Sequence, residues 1–583
     1  MPTTPAQVRQ KLIDTLQLDL IGPTPNDLAH AEEVLNESPS LWYLTGFLVP
    51  YEATPSQRSD DTADDDLDLQ DRPSNGDDDT SPEAASARRA YFPSSMGLNF
   101  FVTPDTQTIT AIVNWGEYTT TKPPAAEKDT TPQIWQRQPR QVSIEIPIPT
   151  TQKVHKQLVT PDGLELTIAA RPVSNATRLP PGTQSVSLFL VNNRPPCEEK
   201  DLGYIFQAQL TVTSAIPLVP RPNPRGQSGN DLDEAIADLQ YRDEREYTVG
   251  HNVSVVAHLN PDRTCNLIST AWMPTAEVEK VIPGDVPAVE LDMETIAAAE
   301  DARSIQDLIG GIVTAYSSWI ITQQAQIPTL DRAGRIVTAK KLLQDAERIN
   351  RRIAAGLESL NDPQVFTAFK LANRAMATAI RQRFSHNSEK LPADFDRPKW
   401  RPFQLAFILM NMVGIADSSH SDREIVDLLF FPTGGGKTEA YLGLAAFTLV
   451  LRRLQNPGIQ GGAGLSVLMR YTLRLLTLDQ LGRAATLICA LELERQQDPQ
   501  TLGDYPFEIG LWVGMAATPN RMGKKGDNDA NSARARTIAF QNDTKGKPSP
   551  IPLENCPWCG ERFFPVITQQ RYPQGIEGEL YQP

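Results

Sequence analysis

The sequence predicts a multidomain α+β and α/β protein, in which a β-rich N-terminal domain is followed by a helical segment and then by an incomplete P-loop α/β lobe. Three observations predict it. At 583 residues the chain is well past the roughly 250 to 300 at which one hydrophobic core stops growing. Short alternating or β-branched runs, punctuated by Pro, Gly, Asn and Asp, give way near Met293 to alanine-rich segments of longer period. Finally, an apolar run, a glycine loop and an apolar helix pattern follow one another directly between Val426 and Leu454.

Residues 1–50 read as an N-terminal helical segment. Thr4 can cap, Pro5 suits the first helical position, and Val8, Leu12, Ile13 and Leu16 recur on one face. Residues 51–91 read as an acidic disordered loop: ten aspartates fall between Asp60 and Asp79 with almost no apolar residues, too few to offset the entropy of ordering. A solvated linker and a segment that imitates nucleic-acid charge over a DNA path are both open readings.

Residues 92–290 read as a β-rich domain. The runs Ile109–Val113, Val142–Ile146, Leu164–Ile168, Val186–Val191 and Ala208–Val212 suit an antiparallel sandwich or open barrel, and carry no chemistry of their own. Residues 291–390 read as three or four helices, interrupted at Gly310-Gly311, Pro328 and Asp362-Pro363. The polar stretch His386–Lys399, with Pro392 and Pro398, reads as a linker before a domain spanning 400–583.

A formal charge of −16 speaks against a generally basic nucleic-acid coat, so any DNA contact belongs to a local patch. No run approaches the roughly 18 to 20 apolar residues needed to span a bilayer, and Met1–Gln10 lacks a signal core, so a cytoplasmic protein without a membrane partner is expected. Five cysteines are too few for a disulfide framework.

Pro432-Thr433-Gly434-Gly435-Gly436-Lys437-Thr438 lies between the apolar run Val426–Phe431 and the helix pattern from Glu439. Glycines let a backbone wrap round phosphate with positive φ, so that successive N–H groups and the helix N-terminus stabilise the anion. On this reading Thr433, Gly434, Gly435 and Gly436 cradle ATP, Lys437 reaches its β and γ phosphates, and the Thr438 hydroxyl ligates Mg²⁺. The strict G-x-x-x-x-G-K-[ST] pattern is not met, because Phe431 occupies its first glycine position. The form present resembles that of superfamily-2 helicases, whose motor lobe is RecA-like.

Two flanking elements extend the resemblance. Arg401-Pro402-Phe403-Gln404 is similar to the R-P-[YF]-Q element of that superfamily, which implies that Gln404 reads the adenine edge. The apolar run Leu465–Met469 reads as a second core strand, and Arg470-Tyr471-Thr472-Leu473-Arg474 resembles the motif that touches a tracked nucleic-acid backbone. Arg470, Thr472 and Arg474 have the donors to hold phosphates without reading bases. Cys556-Pro-Trp-Cys559-Gly560 has the spacing of half a zinc ribbon, in which two thiolates share a tetrahedral Zn²⁺. The remaining cysteines, Cys197, Cys265 and Cys489, read as small core hydrophobes.

Longer blocks carry a closer resemblance: Pro39–Leu48, Pro93–Leu98, Trp400–Phe407, Phe431–Leu444, Met469–Thr477 and Leu511–Gly514. Together they resemble the N-terminal portion of the helicase subunit of DISARM anti-phage defence systems, the DrmA family. That resemblance implies an ATP-dependent DNA helicase or translocase with a DUF1998-type partner subunit. One element departs from the pattern: after Lys437 there is no D-E-x-[HD] tetrad, and Asp233-Glu234-Ala235-Ile236 lies upstream in the β-rich region. The chain therefore reads as a truncated product, or as a split one whose second half a downstream frame supplies, able to bind nucleotide without hydrolysing it alone. The alternative is a non-catalytic interaction platform or nucleotide sensor.

Overall fold

A computed structural model describes residues 4–561 except 26, 28, 54–91, 122–133, 174–178, 223–230, 387, 433, 472–473, 513–518, 520, 527–528, 544–546, 548–552 and 554, and gives the backbone alone for 474–478. The acidic run Asp60–Asp79 lies outside the described residues. The chain divides into two compact units, Met1–Val278 and Glu279–Pro583.

The first unit opens with α1 (Pro5–Leu20), whose start is a reciprocal capping box. Thr4 Oγ1 accepts from the Gln7 N–H at 3.3 Å and Gln7 Oε1 accepts from the Thr4 N–H at 2.9 Å. Its apolar stripe stays largely in solvent: Val8, Leu12 and Leu16 are exposed. Helix does not continue to residue 50. Instead β1 (Val34–Leu35) pairs with a sheet and α2 (Pro39–Trp42) is a single turn. Beyond them Tyr43 and Phe47 join an aromatic cluster with Tyr118 and Phe206. The Tyr43 and Tyr118 hydroxyls both donate to Glu33 Oε1, a half-buried acceptor that fixes this segment against the sheet.

Ten further strands follow: β2 (Ser95–Val102), β3 (Thr108–Thr121), β4 (Ile134–Pro147), β5 (His155–Leu158), β6 (Leu164–Pro172), β7 (Gln184–Asn192), β8 (Phe206–Thr213), β9 (Thr248–His251), β10 (Ser254–Leu259) and β11 (Cys265–Ala271). Between them lie two short helices, α3 (Lys200–Gly203) and α4 (Leu232–Gln240). The strands form two antiparallel sheets, ordered β1-β4-β3-β8-β11-β10 and β5-β6-β7-β2-β9. Alternation explains the pairing of the faces. Leu164, Leu166 and Ile168 of β6, Val186, Leu188 and Leu190 of β7, and Leu210 and Val212 of β8 all point into one core shared by both sheets. Each of the five runs singled out in the sequence lies within a strand.

The second unit is helical. Among the described residues the region after Met293 holds five helices rather than three or four: α5 (Met293–Ala298), α6 (Ala302–Ile309), α7 (Gly311–Gln326), α8 (Ala333–Ser359) and α9 (Pro363–His386). The added breaks have local causes. Asp292 and Asp301 each cap a helix start, accepting from Glu294 and Thr295 N–H groups and from Ser304 N–H respectively. After the polar stretch come α10 (Pro402–Ala416), α11 (Lys437–Gln455), α12 (Ile459–Gly462), α13 (Arg474–Gln497), α14 (Pro499–Leu502) and α15 (Ala533–Asn542).

One hydrophobic core runs through residues on both sides of that stretch, including Ile305, Phe369, Leu409, Phe447 and Leu491. Trp400 is part of it, and its indole N–H donates to Asn373 Oδ1 at 2.7 Å. Helices α8 and α10 meet backbone to backbone at Gly356, where a Cβ would stand 1.9 Å from the Leu409 carbonyl oxygen.

Neither expected strand of this unit forms: every strand among the described residues belongs to the first unit. The segments Val426–Phe431 and Leu465–Met469 carry no ladder, and Val426, Leu428 and Phe430 are 95%, 85% and 89% exposed. An apolar run becomes a strand only with a neighbour to take its N–H and C=O groups, and no described segment lies alongside. The run is anchored at its start instead. Arg352 of α8 donates to both oxygens of Asp427 at 2.6 and 2.8 Å and to Asp422 at 2.7 Å.

Those three groups are nearly buried, so removing one strands the others. Arg352→Ala is expected to destabilise the chain by about 3 to 5 kcal/mol, read as a lowered denaturation midpoint in urea. A midpoint unchanged from wild type would show that the triad is not structural.

Candidate functional site

Helix α11 begins at Lys437, with Gly436 as its cap at φ +88° and Gly434 at φ +79°. A Cβ on Gly435 would lie 2.1 Å from the Phe431 ring, and one on Gly436 would lie 2.7 Å from Gln404 Nε2. Gly434 is therefore required by backbone conformation, Gly435 by a close neighbour and Gly436 by both. Thr433 lies outside the described residues; Thr438 is buried in the first turn of α11. Lys437 turns back onto its own loop, its Nζ donating to the Phe431 carbonyl.

The R-P-F-Q turn at the start of α10 holds this loop from outside. Arg401 Nη1 donates to the Gly435 carbonyl at 2.5 Å, and Gln404 Nε2 donates to the Gly436 carbonyl at 2.6 Å. Gln404 Oε1 accepts from the Arg401 N–H at 2.7 Å, so its amide is engaged at both ends. Phe403 stacks on Phe431, with ring centres 4.2 Å apart and planes 13° from parallel. The side chain at the first-glycine position of the strict motif is thus a packing partner.

Beside the loop is a cavity of about 690 Å³ lined by Arg401, Gln404, Lys437, Thr438 and Tyr471 and also by Arg383, Lys399, Tyr441, Gln480 and Arg483. Five cationic side chains face it, against one carboxylate, Glu439. Burial pushes the Tyr471 hydroxyl up to about 12, reinforced by Tyr441, so it is a neutral donor at physiological pH. A volume of this size with a strongly positive lining suits a small polyanion.

Arg470 is exposed and precedes Tyr471 at the cavity; Thr472 lies outside the described residues, and only the backbone of Arg474, the first residue of α13, is given. Asp233 and Glu234 lie in the first turn of α4 in the first unit, capped by Asp231.

Cys556 and Cys559 form a tight turn, in which the Gly560 N–H donates to the Cys556 carbonyl at 2.9 Å. The turn is docked on the helical core. Trp558 packs against it, Thr486 Oγ1 donates to the Pro557 carbonyl at 3.0 Å, and Gln382 Nε2 donates to the Trp558 carbonyl. Burial opposes ionisation of the Cys556 thiol, but hydrogen bonds from the Cys559 and Trp558 backbone and from the Cys559 thiol outweigh it and hold it below its ordinary value. Cys489 is shifted upward, by burial and then by its proximity to Cys556. Among the described residues, however, no three His, Cys, Asp or Glu side chains are grouped to hold a metal. The two thiols fit half of a zinc site and do not close one.

The sequence is 30% identical over 623 aligned positions to the DISARM protein DrmA of Bacillus paralicheniformis, an alignment that takes in 98% of this chain and 52% of that protein. The chain belongs to the DrmA family. It spans about half the length of the DrmA relative it matches. No protein-family model matches it. Among the described residues of this DrmA-family chain, no helix is long and apolar enough to cross a membrane.

Sequence reasoning missed Arg383, Lys399, Glu439 and Arg483 as cavity residues. Glu439, next to Thr438 in the helix's first turn, was the one with a local signal; the arginines come from helices whose sequence carries none.

Gln404 is positioned to clamp the loop. Gln404→Ala is therefore expected to weaken ATP and GTP binding alike in a calorimetric titration, by roughly tenfold for a lost buried hydrogen-bond pair. A loss confined to ATP would assign the side chain to the adenine edge instead.

Proposed function

We propose that this chain is the ATP-binding part of a superfamily-2 DNA helicase or translocase in a DISARM-like defence system. The observation that carries the reading is the glycine loop at the N-terminus of α11, opening into a cavity with five cationic side chains. The residues present fit a triphosphate. Positive-φ glycines leave the loop N–H groups free of Cβ atoms, and Lys437 and Thr438 stand at the head of the helix. Mg²⁺, with Thr438 as its protein ligand, would supply charge neutralisation at the phosphates.

On this reading the second unit is part of a RecA-like lobe. Val426–Phe431 and Leu465–Met469 become its core strands once neighbouring strands pair with them. Arg470, Thr472 and Arg474 would meet the DNA phosphate backbone, and Zn²⁺ would bind Cys556 and Cys559 with ligands from elsewhere. Because no D-E-x-[HD] tetrad follows Lys437 in this sequence, the 583-residue chain is proposed to bind nucleotide without turning it over by itself. The relative's membership of a DISARM system supports a defence role, for which we propose a DUF1998-type subunit as partner.

A specific observation favours a second reading, in which the unit docks on a partner and uses nucleotide only as a signal: Val426, Leu428, Phe430 and Trp512 are almost fully exposed.

Lys437→Ala tests the main reading. It is expected to abolish binding of a fluorescent ATP analogue in the presence of Mg²⁺ while the circular dichroism spectrum stays that of wild type. Persistence of binding would remove the phosphate-loop assignment.

A further inference from the structure

The cavity contains an ion cluster that belongs to no motif. Arg383 comes from the last turn of α9 and Arg483 from α13, and both reach Glu439 in the first turn of α11. Arg383 Nη2 is 3.5 Å from Glu439 Oε1, and Arg483 Nη2 donates to the same oxygen. Two guanidiniums share one carboxylate at a half-buried place, with Asp479 a weaker negative influence on Arg383, so an anion that joins them lowers the cost of holding both charges there. Burial, and then the Arg483 charge, push the Arg383 guanidinium below its ordinary value.

A second observation is independent of the ion pairs. Arg483 Nε is a buried donor with no hydrogen-bond partner among the described residues, and its side chain lines the cavity. The cluster also abuts the glycine loop: Glu439 Oε2 is 3.5 Å from where a Cβ on Gly436 would sit.

We propose that Arg383 and Arg483 are phosphate-binding groups that take the terminal phosphate of a nucleoside triphosphate, and that Glu439 holds them in place until it binds. The proposal rests on the nucleotide-binding reading above. A guanidinium presents a planar fork that matches phosphate oxygens, and two of them converge on the cavity that Lys437 also enters. A purely structural ion pair joining three helices would hold the fold together without distinguishing ATP from ADP.

The test is an equilibrium titration of the full chain with Mg-ATP and Mg-ADP. Arg383→Ala and Arg483→Ala are expected to weaken ATP binding by about tenfold or more and to leave ADP affinity unchanged. Glu439→Gln keeps the shape of the side chain and is expected to tighten ATP binding. Arg483→Lys covers the case in which an alanine variant fails to fold: it keeps the charge, loses the fork, and is expected to weaken ATP alone. Arginine variants that bind ATP as wild type does, or that lose ATP and ADP equally, overturn the proposal. If those variants retain ATP while Lys437→Ala loses it, the nucleotide-binding reading survives. If wild type binds neither nucleotide, both fall.

Discussion

A loop made of glycine has no side chains with which to hold its shape, so the loop before α11 depends on what grips its carbonyl groups. Gly435 is held by Arg401, Gly436 by Gln404 and Phe431 by Lys437. The first two grips come from the opening turn of α10, which follows Trp400 and its buried bond to Asn373. The loop beside the cavity is thereby tied to the rigid core of the helical unit. The arrangement is economical in groups, because the residue that faces the loop from outside is the same Gln404 that closes the capping turn of its own helix.

Charge is distributed against the average. The chain carries −16 overall, yet the cavity beside the loop gathers five cationic side chains and one carboxylate. Such a local reversal draws in a small anion while the remaining surface repels polyanions, so net charge and site charge answer different questions. On the proposed reading, Lys437 bonded to the Phe431 carbonyl and Glu439 bonded to Arg483 are internal stand-ins for contacts that a phosphate group would make.

The β-rich unit was legible because each strand there buries one face, which imposes period two on residues such as Leu164, Leu166 and Ile168. The glycine loop was legible because conformation and chemistry both constrain it within seven residues. Val426–Phe431 misled for a physical reason: an apolar run records what a segment would do beside neighbours, and here it is exposed. Arg383 and Arg483 were illegible because they reach Glu439 from positions 56 residues before and 44 residues after it, a proximity that only packing of three helices creates. The polar stretch His386–Lys399 shows the same limit, since composition reports exposure while one core runs through residues on both sides of it.

The central claim is that Lys437 is a phosphate ligand parked on its own loop. A structure of the full chain with Mg²⁺ and a non-hydrolysable ATP analogue tests it most directly. The account predicts that Lys437 Nζ leaves the Phe431 carbonyl and lies within hydrogen-bond distance of the β and γ phosphate oxygens, with the triphosphate against Gly434–Gly436. Nucleotide bound elsewhere, with Lys437 still on Phe431, would contradict it.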